Sequence, residues 1–247
     1  MAKKVKKWEP SNFELETNTV WSFPARGDWA THNAKYRGNW SPYIPRNIIL
    51  RYSQEKDIVL DQFVGSGTTL IETKLLNRRG VGVDINQNAI DITEENLAFP
   101  YPNATEPKLF LGDARNLSFI KDESIDLICT HPPYANIIKY SEGIEGDLSH
   151  LKIPQFLEQM RLVASECYRV VKAGKFCAIL MGDTRQKGCM IPMSFEVLEI
   201  FQKAGFELKE LIIKEQHNCK ATGFWKTNSI KYNFLLIAHE YLFILRK

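Results

Sequence analysis

The sequence predicts an α/β fold, with seven mostly parallel strands in one sheet and helices on both faces. Three observations carry that expectation. Short apolar runs alternate with helix-length amphipathic stretches, the pattern of a parallel sheet. The run 58–63 passes straight into Gly65-Ser66-Gly67-Thr68-Thr69, a strand-turn-helix signature. Two further apolar runs end in acids, Asp84 and Asp113, so three successive strand ends carry polar groups.

Taken in order, Ile58 to Phe63 is the first strand, and a helix follows from about Thr68 to Asn77. Arg79 to Ile85 is the second strand. Asn86 can cap the next helix, which runs to about Leu97. The proline-containing loop 99–103 leads to a short third strand, Lys108 to Leu111, which ends at Gly112-Asp113. Ser124 to Thr130 is the fourth strand and ends at His131-Pro132-Pro133-Tyr134. Pro154 to Val171 reads as a long helix stopped by Lys172-Ala173-Gly174. Lys175 to Gly182 is the fifth strand, and Pro192 to Ala204 a helix stopped by Gly205. Phe206 to Lys214 and Phe234 to Leu245 are the sixth and seventh strands, flanking a polar, aromatic-containing insert, Gln216 to Asn233. With no obvious linker, residues 53–247 form one domain with small inserts at about 137–151 and 216–233. Residues 1–52 are an N-terminal extension packed on it.

The chain has 247 residues, 44% hydrophobic and 25% charged, ordinary values for a soluble globular protein. No apolar run approaches the roughly 20 residues of a membrane helix. The basic start, Met1 to Lys7, lacks the apolar core of a signal peptide, so a cytoplasmic location is the expectation. Lys3, Lys4, Lys6 and Lys7 could meet phosphate, though a solvated terminus is the simpler reading. Cys129, Cys167, Cys177, Cys189 and Cys219 form no C-x-x-C pair, which points to reduced cysteines and no metal site. A net charge of +3 permits a nucleic-acid partner without demanding one.

Ligands of open α/β sheets bind outside the carboxyl ends of the strands. At the first such end, from Asp61 through Phe63 to Thr68, Gly65 and Gly67 let backbone approach a ligand, and the helix start turns free amides toward it. The spacing is neither that of a P-loop nor that of G-x-G-x-x-G. At the second end, Asp84, followed by Ile85, can accept two ribose hydroxyls. At the third, Asp113 can accept from an adenine amine while Ala114 leaves room for the ring. Each acid alone reads equally well as a cap; three in register point to a nucleoside. At the fourth end, Pro132 and Pro133 stiffen the loop and remove two donors, and Tyr134 offers a flat face to a base. Acceptors aimed at the N–H bonds of a nucleobase amine help its nitrogen attack an electrophilic methyl. No enzyme nucleophile is needed, and no Pro-Cys pair is present.

These residues resemble the amino-methyltransferase group of DNA methyltransferases, the N4-cytosine and N6-adenine enzymes of restriction-modification systems. Asp61 to Thr69 matches the family's Asp-Pro-Phe-x-Gly-Ser-Gly-Thr-Thr, with Gln62 in place of proline. His131 to Tyr134 matches its catalytic Ser/Asp/Asn-Pro-Pro-aromatic motif. The stretch containing Thr31, His32, Asn39 and Trp40 is similar to the family's segment over the methionine end of the cofactor. The resemblance implies a Rossmann-like class I methyltransferase sheet over roughly residues 20–245. It also implies S-adenosyl-L-methionine as cofactor and double-stranded DNA as partner, and leaves open whether a cognate restriction endonuclease accompanies it. The departure is His131, where the family places an oxygen acceptor. A neutral imidazole accepts one hydrogen bond and can stand in for serine. The residues after Tyr134, Tyr140 among them, resemble the cytosine-N4 enzymes and favour that base over adenine N6.

DNA contact is expected from Arg185 and Lys187 after the fifth strand, and from Lys220, Trp225 and Lys226 of the insert, which mixes cations, amides and aromatics. Two other classes stand beside this reading. One is a methyltransferase acting on RNA or on protein glutamine, whose loops carry Asn or Asp before the prolines. The other is a DNA-binding module with a decayed site, against which the intact Gly65, Gly67, Asp84 and Asp113 argue.

Overall fold

In a computed structural model, residues 5, 7–135, 141, 143–217 and 222–247 are described. One eight-stranded sheet runs in the order β1-β9-β10-β6-β5-β2-β3-β4. Its strands are β1 (Val20–Trp21), β2 (Ile58–Asp61), β3 (Arg79–Asp84), β4 (Lys108–Leu111), β5 (Ile125–Thr130), β6 (Val171–Met181), β9 (Glu207–Glu215) and β10 (His239–Arg246). All neighbours pair in parallel except β10, which is antiparallel to both β6 and β9. The strand order reverses between β2 and β5, and the ends there leave a crevice.

The apolar alternation explains the layers. Along β5, Leu127 and Cys129 face one side and Ile128 the other. The first side packs under α1 (Tyr43–Tyr52) through Ile44, Ile48 and Ile49. The second packs under α4 (Ile153–Val170) and α5 (Met193–Lys203). Phe156, Met160, Val163, Ala164, Cys167 and Val170 repeat at three- and four-residue spacing along α4 and are buried. Each large side chain among them stabilises the fold by about 1.5–3 kcal/mol. Asn86 caps α3 (Gln87–Leu97) by accepting from the Asn88 amide. The helix α2 (Thr68–Leu75) is buried along its whole length.

Residues 20–52 are woven into the domain. β1 adds an eighth strand at the sheet edge, and α1 supplies core. The segment before α1 is anchored on α2: buried Glu72 accepts from Trp29 Nε1 at 2.7 Å and Arg46 Nη1 at 2.9 Å, and lies 2.7 Å from His32 Nε2.

The structure corrects four sequence expectations. The sheet has eight strands, because a two-residue strand carries no readable alternation. The long helix ends at Val170 and β6 starts at once, so Lys172 to Gly174 lie in a strand and not in a helix stop. The run Phe234 to Ala238 is outside β10, whose pairing with β9 begins at His239 opposite Glu215. The polar insert, given no element by its sequence pattern, contains a helix: Thr222–Lys231 form α6. Residues 184–191 form a small ribbon, β7 (Thr184–Gln186) with β8 (Cys189–Ile191).

Candidate active site

A cleft opens at the carboxyl ends of β2 to β5, where open α/β sheets bind ligands. Asp61, Phe63, Gly65 and Thr68 line it from the first turn, Asp84 and Ile85 from the second, Asp113 and Ala114 from the third, and His131 and Pro133 from the fourth. Asn39 and Trp40 close it from the N-terminal segment. Tyr36, Gly38, Gly146, Asp147 and Leu148 complete the wall.

The first turn is wired internally. Asp61 is buried at 2% exposure, and its oxygens accept from Thr69 Oγ1 at 2.6 Å, Thr130 Oγ1 at 2.8 Å and the Phe63 amide at 3.1 Å. Burial pushes its carboxyl up to about 6 against those bonds. Gly67 precedes α2 with φ +79°, where a Cβ would stand 2.7 Å from Thr93. Gly67 does not line the cleft; it shapes the turn. Asp84 accepts from the Gly65 amide at 2.9 Å, the Asn86 amide at 3.0 Å and the Ile85 amide, and burial raises its pKa despite these bonds. Thus Asp84 ties the second strand end to the glycine turn. Asp84 lines the cleft, and a carboxylate has about four lone-pair sites, so acceptor capacity remains beyond these three amides.

Besides Gly67, Thr31 is placed away from the cleft and Asp113 is engaged elsewhere. Thr31 is not at the cleft: its hydroxyl donates to the Asn96 carbonyl at 2.5 Å, pinning the N-terminal segment to the end of α3. Asp113 lines the cleft, but its carboxylate is gripped by Arg115 through Nε at 2.9 Å and Nη2 at 2.5 Å. Neither contact is legible in the sequence, because both depend on side-chain direction.

His131 stands where this cleft meets a second one. The second cleft is lined by His131, Pro132, Tyr134, Gly182, Asp183, Gln216, His239 and Glu240, with Gly38 and Ile237. Trp40 stacks on the imidazole, with centroids 5.5 Å apart and planes 22° from parallel. His131 Nε2 lies 2.8 Å from Tyr134 Oη, which donates to Glu240 Oε1 at 2.8 Å. Lys214 Nζ donates to Glu240 Oε2 at 2.8 Å. Burial lowers the His131 pKa to about 4, so the ring is neutral at ordinary pH. Burial pushes Glu240 up, but Lys214, His131 and Tyr134 together hold it below its usual value. Gly182 makes room for the tyrosine: a Cβ there would stand 2.8 Å from the ring. Glu240 and Lys214 are the residues the sequence reading missed. Their signal, an acid opposite a lysine in neighbouring apolar strands, has meaning only once β9 and β10 are known to pair.

The expected nucleic-acid residues scatter. Arg185, in β7, donates to the Leu235 carbonyl at 2.9 Å and lies over the Phe234 ring, so it braces the segment before β10. Lys187 sits exposed at the ribbon tip. Trp225 and Lys226 are exposed on α6. Lys220, Tyr140 and part of the 137–151 insert lie outside the described residues. Among the described residues no cluster of His, Cys, Asp and Glu could hold a metal ion. No described helix is long and apolar enough to cross a membrane.

With the geometry in hand, comparison with known proteins decides the family. The model of the DNA methylase family, which covers N6 and N4 enzymes, matches residues 1–95 and 125–247. The chain belongs to that family. Type II methyltransferase M.MjaI of Methanocaldococcus jannaschii is 27% identical over 170 residues, 58% of this chain and 56% of that one. Type II methyltransferase M.HpaI of Haemophilus parainfluenzae is 41% identical over 81 residues, 32% of this chain and 26% of that one. A tRNA (guanine(10)-N2)-dimethyltransferase of Methanothermobacter thermautotrophicus is 35% identical over 124 residues, 50% of this chain and 34% of that one. The matched regions thus span at most a little over half the length of these relatives. An S-adenosylmethionine-dependent methyltransferase from Methanosarcina mazei shares the fold at TM-score 0.57 and 18% identity, over 81% of this chain and 96% of that one. The fold is therefore that of class I methyltransferases, and the family's cofactor is S-adenosylmethionine.

The cleft fits that cofactor on its own terms. Asp84 suits a ribose diol, Phe63, Ile85 and Ala114 give apolar wall for an adenine, and the buried Gln62 Oε1, at the cleft wall, has no partner among the described residues.

Proposed function

We propose that this DNA methylase methylates the exocyclic amine of a base in DNA, cytosine N4 in first place and adenine N6 as the alternative. The observation that carries the reading is His131, a neutral imidazole at the junction of the cleft lined by Asp84 and the Gly65 turn with a second cleft bordered by Tyr134. Bound S-adenosylmethionine supplies an electrophilic sulfonium methyl. Asp84 and the Gly65 turn would hold its nucleoside, with Asn39 and Trp40 over the other end. Tyr134 would stack a base extruded from the duplex. His131 would accept a hydrogen bond from the amine, which frees the nitrogen lone pair for attack. Pro132 and Pro133 keep competing backbone donors out of the loop. A ring with pKa about 4 stays an acceptor and does not store the released proton, which passes to solvent. Lys187, Trp225 and Lys226 would meet the DNA around the extruded base.

A second reading, methylation of a guanine N2 amine in RNA, is favoured by the similarity to the tRNA (guanine(10)-N2)-dimethyltransferase. The test offers purified protein and labelled S-adenosylmethionine to duplex DNA and tRNA side by side, followed by nucleoside mass spectrometry. N4-methylcytosine is expected. N6-methyladenine would move the base, N2-methylguanosine in tRNA would install the second reading, and no labelled nucleoside would defeat both.

A further inference from the structure

We infer that Glu240, anchored by Lys214, fixes the tautomer of His131 through Tyr134, so that Nδ1 is the acceptor presented to the target amine. The inference rests on the role given to His131 above and adds two positioning residues and a defined atom.

Hydrogen-bond polarity carries the argument. A carboxylate only accepts. Glu240 accepts from Lys214 Nζ on one oxygen and from Tyr134 Oη on the other, each at 2.8 Å. The tyrosine has a single proton, and it is spent on Glu240. Toward His131 Nε2, 2.8 Å away, the phenol oxygen can therefore only accept. Nε2 must carry the ring hydrogen, and a neutral imidazole then has a bare Nδ1. The reverse polarity would need a protonated Glu240, which the Lys214 ammonium opposes. Among the described residues Nδ1 has no partner, so its lone pair is available.

A serine at this position would need no such device, because a hydroxyl rotates and its oxygen accepts from any direction. An imidazole is different. In the wrong tautomer it would point an N–H at an amine N–H and repel it. A histidine in this loop therefore calls for a polarity relay, and the fold supplies one. Glu240 and Lys214 are directly opposed partners of β10 and β9, and Glu240 is buried at 7% exposure. The close approach at Gly182 lets the Tyr134 ring reach from the β5 end to that pair. Trp40 holds the imidazole plane from the other side.

The test is nitrogen NMR on the full chain labelled with ¹⁵N-histidine, the His131 signal being assigned by its loss in His131→Asn. The expected wild-type pattern is a protonated Nε2 and an unprotonated Nδ1. Glu240→Gln, whose amide can also donate to the phenol, and Tyr134→Phe should both shift His131 toward the other tautomer. They should lower kcat by about 10- to 100-fold, with the KM for S-adenosylmethionine within about twofold. A wild-type Nδ1–H form would overturn the inference even if neither Glu240→Gln nor Tyr134→Phe folds. So would a tautomer that ignores both substitutions. If the tautomer behaves as expected while no nucleic acid is methylated, the relay stands and the proposed substrate falls.

Discussion

Asp84 takes the Gly65 amide from 19 positions away, and Thr69 reaches Asp61 across only eight. At the other end of the cleft, Tyr134 reaches Glu240 across 106 positions and Trp40 lies on His131 from a different element altogether. The end proposed to hold the nucleoside is thus made of neighbouring turns that each strand brings with it. The chemical end is an assembly of β5, β9, β10 and the N-terminal segment. Substitutions at the first should act on loop stability and cofactor affinity, and those at the second on turnover.

The largest effect is expected at the chemical end. His131→Ala should lower kcat by about 10²–10³-fold, the loss seen when one positioned hydrogen-bonding group is removed. The Kd for S-adenosylmethionine, read by calorimetry, should stay within about threefold. A comparable loss of cofactor affinity would break the division between the ends.

A Cβ at Gly67 meets Thr93 and strains a left-handed backbone, so Gly67→Ala should destabilise by about 1–3 kcal/mol in urea unfolding. An unchanged midpoint would show that the turn tolerates a side chain.

The chemical end should also weigh on acid stability. The folded His131 pKa, about 4, lies below its ordinary 6.5. Between those values the unfolded chain binds a proton that the folded chain refuses, so this residue's contribution to stability falls as pH drops from about 6.5 to about 4. Asp61, raised to about 6 from 3.8, acts in the opposite sense, since the folded chain takes up its proton first. His131→Asn should therefore lose less stability than wild type over that pH interval, by on the order of 3 kcal/mol at its acid end. Parallel pH curves for the two proteins would place the imidazole in water.

Smaller still, Asp84→Asn keeps an acceptor but loses charge. It should raise the cofactor Kd about tenfold, or about 1.4 kcal/mol, while leaving kcat at saturation within about twofold. The smallest effect is at the exposed helix. Lys226→Ala should lower DNA affinity modestly and reduce the salt slope by about one, if α6 meets phosphate. An unchanged slope would remove α6 from the interface.

The strands β2, β3, β4 and β5 were legible from their apolar runs, α3 to α5 from their amphipathic spacing and α2 from the glycine turn before it, although the stop expected for α4 lies in β6. So were the glycine turn, Asp84 and the His131-Pro132-Pro133-Tyr134 loop, which follow directly from strand ends. The helix α6 was not, because its Gly223, Asn228 and Ser229 leave no apolar stripe and Phe224, Trp225 and Ile230 stay exposed. The Phe234-to-Ile237 run looked like strand, yet Leu235 is 82% exposed, since the sheet offers it no partner.

The sequence by itself determined the parallel core β2 to β5, the place of the cleft at its carboxyl ends and the family, because turns and strand ends are encoded within a few residues of each other. Only the tertiary structure decided that Thr31 holds a helix end, that Arg115 grips Asp113, and that Glu240 and Lys214 stand behind His131. Those contacts depend on strand pairing and side-chain direction between distant segments, and no local pattern records them.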